Sequence, residues 1–136
     1  MESVPDNGTP ILVVDDDIGL LSSIKATIVG SGMPEPALIS DSRHVMRLVR
    51  THTFHLVLLD LIMPHMNGME VLQQLKKEFP AIECIVVTAV DEVSSSVQAM
   101  KYGAYDYLVK PLSPEKMLII INRALEKYTL RHGLTL

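Results

Sequence analysis

Five short apolar runs, Ile11–Val14, Ala37–Ile39, Phe54–Leu59, Ile82–Val87 and Asp106–Val109, alternate along the chain with segments of helical periodicity. No other feature of the sequence restricts the fold as strongly. The runs are too short for helices, rich in Val, Ile and Leu, and apolar on both faces. That is the composition of parallel strands covered by helices on either side. The intervening segments carry apolar residues at helical spacing. The first, from about Asp17 to Val29, holds Leu20, Leu21, Ile24 and Ile28 and stops at Gly30 and Gly32. The second begins after Asp41 or Ser42 and carries Val45, Met46, Leu48 and Val49. The third follows Asn67-Gly68, carries Val71, Leu72, Leu75 and Phe79, and ends before Pro80. The fourth runs from about Asp91 to Tyr102 and holds Val93, Val97 and Met100; Ser94, Ser95 and Ser96 lower its helix propensity. The fifth has Ser113 as N-cap and Pro114 at its first position, and extends to about Tyr128. Five βα units in tandem predict an α/β, doubly wound sheet with helices on both faces.

The chain of 136 residues suits one domain, with residues 1–9 as an N-terminal extension, 10–128 as the folded domain and 129–136 as a C-terminal tail. The net charge of −4 speaks against a nucleic-acid-binding or polybasic membrane surface, because both need an excess of cations. A lone cysteine, Cys84, excludes an internal disulfide and a cysteine-rich metal site, and its place within the fourth run marks it as a small core residue. No apolar run reaches transmembrane length. The opening MESVPDNGTP has no charged-then-apolar signal pattern, so the expected location is cytoplasmic and without membrane contact.

In an open parallel sheet, ligands collect at the carboxyl ends of the strands. The first run is followed by Asp15-Asp16-Asp17, the third by Asp60, the fourth by Thr88 and the fifth by Lys110. Aspartates, a hydroxyl and a lysine therefore meet at one edge. Crowded carboxylates stay ionised only with a cation among them. Oxygen donors without His or Cys suit Mg²⁺. A lysine and a hydroxyl opposite the metal complete a site for a phosphoryl group, and a carboxylate can accept that group covalently. Asp60 is the expected acceptor, Asp15 and Asp16 the expected metal ligands, and Asp17 a residue that caps a helix or points elsewhere. An aspartate after a strand is more often a helix cap than a ligand. It is the combination at several strand ends that outweighs this reading.

With these residues placed, the chain resembles the receiver domains of bacterial two-component response regulators, the CheY-like domains. The matching stretches are ILVVDDD, LVLLDLIMPHMNGME, VVTA and GAYDYLVKP. The resemblance implies a flavodoxin-like (βα)5 fold with a parallel five-stranded sheet in the order 2-1-3-4-5, over residues 10–128 as the receiver domain. It implies that Asp60 accepts a phosphoryl group from a histidine kinase. Asp16, Asp60 and the Ile62 carbonyl would ligate Mg²⁺, with Asp15 acting through water. Lys110 and Thr88 would contact the phosphoryl group, and Ala89 would lend a backbone N–H. Thr88 and Tyr107 would form the switch, and Lys110-Pro111 would be a cis peptide. A receiver of this kind is not an enzyme in the ordinary sense, because it catalyses only its own phosphorylation and dephosphorylation. Asn67 replaces the commoner aspartate before Gly68. Ile62 and Val90 are apolar at two variable positions beside the phosphoryl site, where neither can orient an attacking water, and a long-lived phosphoryl group is therefore expected.

The fifth helix should pack Met117, Ile121, Ala124, Leu125 and Tyr128 on the sheet. That would leave Ile119 and Ile120 among Lys116, Arg123 and Lys127 as an apolar patch for pairing two subunits through the fourth helix, fifth strand and fifth helix. The histidines His44, His52, His55, His65 and His132 show no ligand spacing; His52 and His55, either side of a helix-to-strand turn, and His65 are assigned to the surface. The stretch from Val97 to Arg131 is similar to receivers of NtrC-type transcription regulators, so the expected context is the N-terminal part of a longer regulator rather than a stand-alone receiver. The competing functions are weaker. A receiver degenerated to protein contacts alone would not need every active-site residue type. A Mg²⁺-dependent aspartyl-phosphate phosphatase of the haloacid-dehalogenase type needs an acid where Ile62 stands. A nucleotide or flavin module needs a phosphate-binding loop where the three aspartates stand.

Overall fold

Each apolar run becomes a strand, and all five lie parallel in one sheet. A computed structural model describes residues 1–89 and 92–133. The strands are β2 (Ile11–Val14), β3 (Ala37–Ile39), β4 (Leu56–Asp60), β5 (Glu83–Thr88) and β6 (Asp106–Val109). A further strand precedes them, β1 (Glu2–Ser3), and the sheet runs β1-β3-β2-β4-β5-β6. Without β1, this is the expected 2-1-3-4-5 order, parallel throughout. The expected five-stranded sheet is corrected to six strands. β1 pairs antiparallel with β3 through Glu2 opposite Ile39 and Ser3 opposite Leu38. Residues 1–9 are therefore not a bare extension, because their first residues cover a sheet edge whose N–H and C=O groups would otherwise be open. The Glu2 carboxylate pairs with Arg47 of the second helix, and the Ser40 N–H donates to the Met1 carbonyl at 3.0 Å.

The helices are α1 (Ile18–Gly30), α2 (Val45–Thr51), α3 (Gly68–Glu78), α4 (Val93–Lys101) and α5 (Pro114–Arg131), with a 3-10 turn at Ser42–His44 leading into α2. Their starts follow local chemistry. Asp17 Oδ1 accepts from the Leu20 N–H at 3.1 Å, Asn67 Oδ1 from Met69 N–H at 2.7 Å, and Ser113 Oγ from Lys116 N–H at 3.3 Å. Each satisfies an N–H that has no partner within its own helix. The predicted starting point of the fourth helix at Asp91, the Val90 position and the last residues of the tail lie outside the described residues.

Strand side chains alternate between two cores, because successive Cβ atoms point to opposite faces. Leu12, Val14, Val57, Leu59, Cys84 and Val86 pack with α2, α3 and the buried Ala99 of α4. Ile11, Val13, Leu56, Leu58, Ile85 and Val87 pack with α1 and α5. Burial pushes the Cys84 thiol up to about 12, which leaves it an inert core group. Phe54 is fully buried but precedes β4 instead of starting it.

One expectation about α5 is corrected. Ile120 is buried (5 % exposed) and joins Met117, Ile121 and Ala124 on the sheet, whereas Ile119 is half exposed. The five-residue apolar run has a wider buried face than the predicted stripe allows, since residues three and four apart both reach the core. The outward apolar feature of α5 is Ile119 without Ile120. Ile120→Ala should accordingly lower stability in urea unfolding by about 2–5 kcal/mol, and Ile119→Ala should change it by no more than about 0.5 kcal/mol.

Candidate functional site

In the chain, β2 is followed by β3 on one side and β4 on the other. The carboxyl ends of β2 and β4 are thus the point where strand order reverses. Asp15 follows β2 directly and Asp60 ends β4, and both are buried, at 2 % and 4 % exposure. Each carboxylate is oriented by the chain just beyond it. Asp15 Oδ1 accepts from the Asp17 N–H at 2.9 Å, and Asp60 Oδ1 accepts from the Ile62 N–H at 3.1 Å. These are Asx-type turns, in which a short acidic side chain bonds the backbone two residues on. The other oxygens, Asp15 Oδ2 and Asp60 Oδ2, both lie 3.2 Å from Lys110 Nζ. Lys110 follows β6, and its own N–H donates to the Thr88 carbonyl at 2.8 Å, so the lysine is tied to the end of β5. The Lys110-Pro111 bond is cis, as expected.

Electrostatics at the site are unequal. Burial, then the neighbouring Asp15, raise the Asp60 pKa above the usual carboxylate value, and the Ile62 N–H and Lys110 only partly offset them. Burial opposes the charge of Lys110, yet Asp60 and Asp15 together hold its pKa above the ordinary lysine value. One ammonium faces two buried carboxylates, and Asp16 brings a third from the exposed side. Carboxylate oxygens of Asp15, Asp16 and Asp60 come within 4.8 Å of one another. This donor set is all oxygen, which is the chemistry of a hard divalent cation. A buried hydroxyl completes the group. Thr88 is fully buried, and its Oγ1 has no hydrogen-bond partner among the described residues. A buried hydroxyl in that state calls for an incoming acceptor.

The structure thus brings Asp15, Asp16, Asp60, Thr88 and Lys110 to one edge, as their places after the strands predicted. Asp17 caps α1 and also lines the mouth of the site. Ile62 and Ala89 line the mouth, and Ile62 is 58 % exposed there. Tyr107 is half-buried against the α2–α4 core. Ile119 lies in the second turn of α5, outside the mouth. His65 is exposed, as expected, with a left-handed backbone at φ 71°. Two residues escaped the sequence reading. Glu92 also lines the mouth, and nothing in its local sequence marks it. Gly68 opens α3, and its place is decided by packing. A Cβ there would overlap the Asp60 carbonyl oxygen and the Leu61 backbone. Gly68 N–H donates to the Leu61 carbonyl at 3.0 Å, so the start of α3 presses on the very backbone that carries Asp60.

Comparison with known proteins follows the same lines. A family profile described as response regulator receiver domain matches residues 11–122. The transcriptional regulatory protein ZraR of Escherichia coli strain K12 is 39% identical over 115 residues, which cover 85% of this chain and 26% of that protein. The alginate biosynthesis transcriptional regulatory protein AlgB of Pseudomonas aeruginosa is 33% identical over 126 residues, covering 93% of this chain and 28% of that one. The chain therefore spans about a quarter of the length of these curated relatives. Among solved structures, the receiver domain of NtrX from Brucella abortus superposes with a TM-score of 0.79 at 26% identity, over 85% of this chain and 98% of that one. A CheY-like receiver domain protein from Methanospirillum hungatei JF-1 gives 0.82 at 30% identity, over 89% and 96%.

Two outcomes follow from the geometry. Gly68→Ala should cost roughly 1–3 kcal/mol, because backbone and not a flexible side chain must yield, and amide shifts at Asp60 and Leu61 should move with it. Lys110→Met should raise the Asp60 pKa further in a carboxyl-carbon NMR titration, since it removes a cation that favours the ionised form.

Proposed function

The chain belongs to the response regulator receiver domain family, and on that premise we propose that it is a phosphoacceptor switch that takes a phosphoryl group on Asp60 from a histidine kinase. The observation that carries this reading is the sharing of Lys110 Nζ between Asp15 and Asp60 beside the unpartnered Thr88 hydroxyl. An Asp60 carboxylate oxygen attacks the phosphorus of a phosphohistidine. A P–O bond forms, the P–N bond breaks, and the leaving imidazole takes up a proton. The product is an acyl phosphate on Asp60. Lys110 neutralises charge on the transferred group, Thr88 Oγ1–H donates to one of its oxygens, and the Ala89 N–H is placed to donate to another. Asp15, Asp16, Asp60 and the Ile62 carbonyl are the groups that would hold Mg²⁺, which supplies charge neutralisation for the phosphoryl oxygens. This chemistry serves only the chain's own modification.

Transfer adds negative charge and acceptor oxygens at the end of β5. Thr88 is drawn toward them, and Tyr107, on the neighbouring strand β6, turns into the space released. The changed face comprises α4, β6 and α5, where Val97, Met100, Tyr102 and Ile119 are all at least 40% exposed. A second copy of the chain is the proposed partner there, formed about Ile119. Control of transcription, as in the relatives' names, is the proposed output of a longer protein. Neither nucleic acid nor membrane is a proposed direct partner; among the described residues no helix is long and apolar enough to cross a membrane.

The test is direct. Incubation with acetyl phosphate and Mg²⁺ should add one phosphoryl group (~80 Da) to the intact mass, and neither Asp60→Asn nor EDTA-treated protein should gain it. No adduct in the wild-type chain would point instead to a receiver that works by protein contacts alone. Because the exposed side chain of Ile62 cannot orient a water, the adduct should decay slowly in the isolated domain. A half-life of seconds would refute that part. On size exclusion, phosphorylation should shift the wild type, but not Ile119→Glu, toward a dimer.

A further inference from the structure

The two strands that carry Asp60 and Thr88 at their carboxyl ends carry a second constellation at their other ends, far from the phosphoryl chemistry. β4 is preceded by His55 and β5 begins at Glu83, and the Glu83 N–H donates to the His55 carbonyl at 3.0 Å. Both side chains hold the last turns of α5. The His55 ring stacks on Tyr128 with centroids 4.0 Å apart and planes 10° from parallel, and Tyr128 stacks in turn on His132 at 3.9 Å and 17°. His132 Nδ1 donates to the Tyr128 carbonyl at 2.8 Å, which closes the column on the helix end. Beside it, Glu83 is 1% exposed. Its Oε2 lies 3.4 Å from Lys127 Nζ and its Oε1 3.6 Å from Arg131.

The charges around this column are lopsided. Lys127 and Arg131 come from α5 itself, with Lys127 also lying over the Tyr105 ring at 5.3 Å. Lys76 reaches in from α3 and donates to the Pro80 and Ile82 carbonyls, both at 2.9 Å. Among the described residues, Glu83 is the carboxylate paired with Lys127 and Arg131. The nearby Glu78 is taken by Arg50, at 3.0 and 2.7 Å. His52 turns aside onto Thr51 and Phe54. A proton taken up by His55 therefore enters a region where, among the described residues, the buried Glu83 is already engaged by Lys127 and Arg131.

We propose that the end of α5, from Leu125 to His132, is an acid-released latch: the buried side of the His55 ring, stacked on Tyr128, docks it while Glu83 holds Lys127 and Arg131, and protonation of His55 frees this segment from an intact sheet. The ordering of pKa values agrees in sign. Burial, and then His132, hold His55 below the ordinary imidazole value. The docked state therefore binds a proton less readily than the released state. Docking is unaffected while both states are neutral, and it weakens as pH falls below the ordinary imidazole value. The latch does not depend on phosphoryl transfer, since none of its groups lies at the Asp60 edge.

The experiment is amide hydrogen exchange by NMR on the full chain at about pH 7.5 and about pH 5.5, either side of the ordinary imidazole value, with rates corrected for intrinsic pH dependence. Protection over Leu125–His132 should fall roughly tenfold at the acid pH while β4 and β5 amides stay protected. In the double variant His55→Gln, His132→Gln that acid step should disappear, with β4 and β5 protection reporting that the variant is folded. An unchanged α5 end at acid pH, a step of the same size in the double variant, or a loss shared by β4 and β5 would each overturn the latch.

Discussion

One ammonium between two buried carboxylates organises this molecule. Lys110 Nζ sits 3.2 Å from both Asp15 and Asp60, and neither acid is exposed enough for water to stabilise its charge. Like charges at the ends of adjacent strands should drive those ends apart. They are held together because the strands behind them are apolar on both faces and locked into the centre of the sheet. The hydrophobic layers thus bury both charges, and the lysine offsets only part of what burial, and then Asp15, do to raise the Asp60 pKa. An additional cation at the all-oxygen cluster, or a chemical change at Asp60, acts on a balance that is already close.

The same strands also serve the far side of the sheet. β5 begins at buried Glu83 and ends at buried Thr88. Neither residue has all its buried oxygens hydrogen-bonded among the described residues: Thr88 Oγ1 has no hydrogen-bond partner, and Glu83 Oε1 has only the ion pair with Arg131 at 3.6 Å. Buried polar groups left in this state are uncommon, and they mark places where a structure accepts a cost for something other than stability. One faces the chemistry of the strand ends and the other the docking of α5. The first belongs with the proposed phosphoryl chemistry. The second is a property of this chain's own residues.

Much of this was legible beforehand, and the reasons differ by residue. The β2–β6 strands were found because a strand covered on both faces must be apolar throughout. The caps at Asp17 and Ser113 were readable because capping is local chemistry. The acids, threonine and lysine were placed together because each immediately follows a strand, and parallel strands bring their carboxyl ends to one edge. What failed depended on distance through space. Ile120 was assigned outward because a narrow apolar stripe was drawn on α5, whereas the groove between α1 and the sheet takes a wider face. β1 went unseen because Glu2 and Ser3 have no strand pattern of their own, and the edge of β3 recruits them by backbone bonding alone.

The amino-acid sequence by itself determined the order of strands and helices, the apolar layers and the identity of the groups at the site, because periodicity, capping and strand-end position are encoded within a few residues of one another. Only the tertiary structure decided that one lysine serves two acids, that Gly68 must lack a side chain because α3 lies against the backbone of Asp60, and that His55, Tyr128, His132 and Glu83 meet at the end of α5. Those contacts join residues distant in the chain, and their geometry exists only once the sheet and its two helical layers have packed.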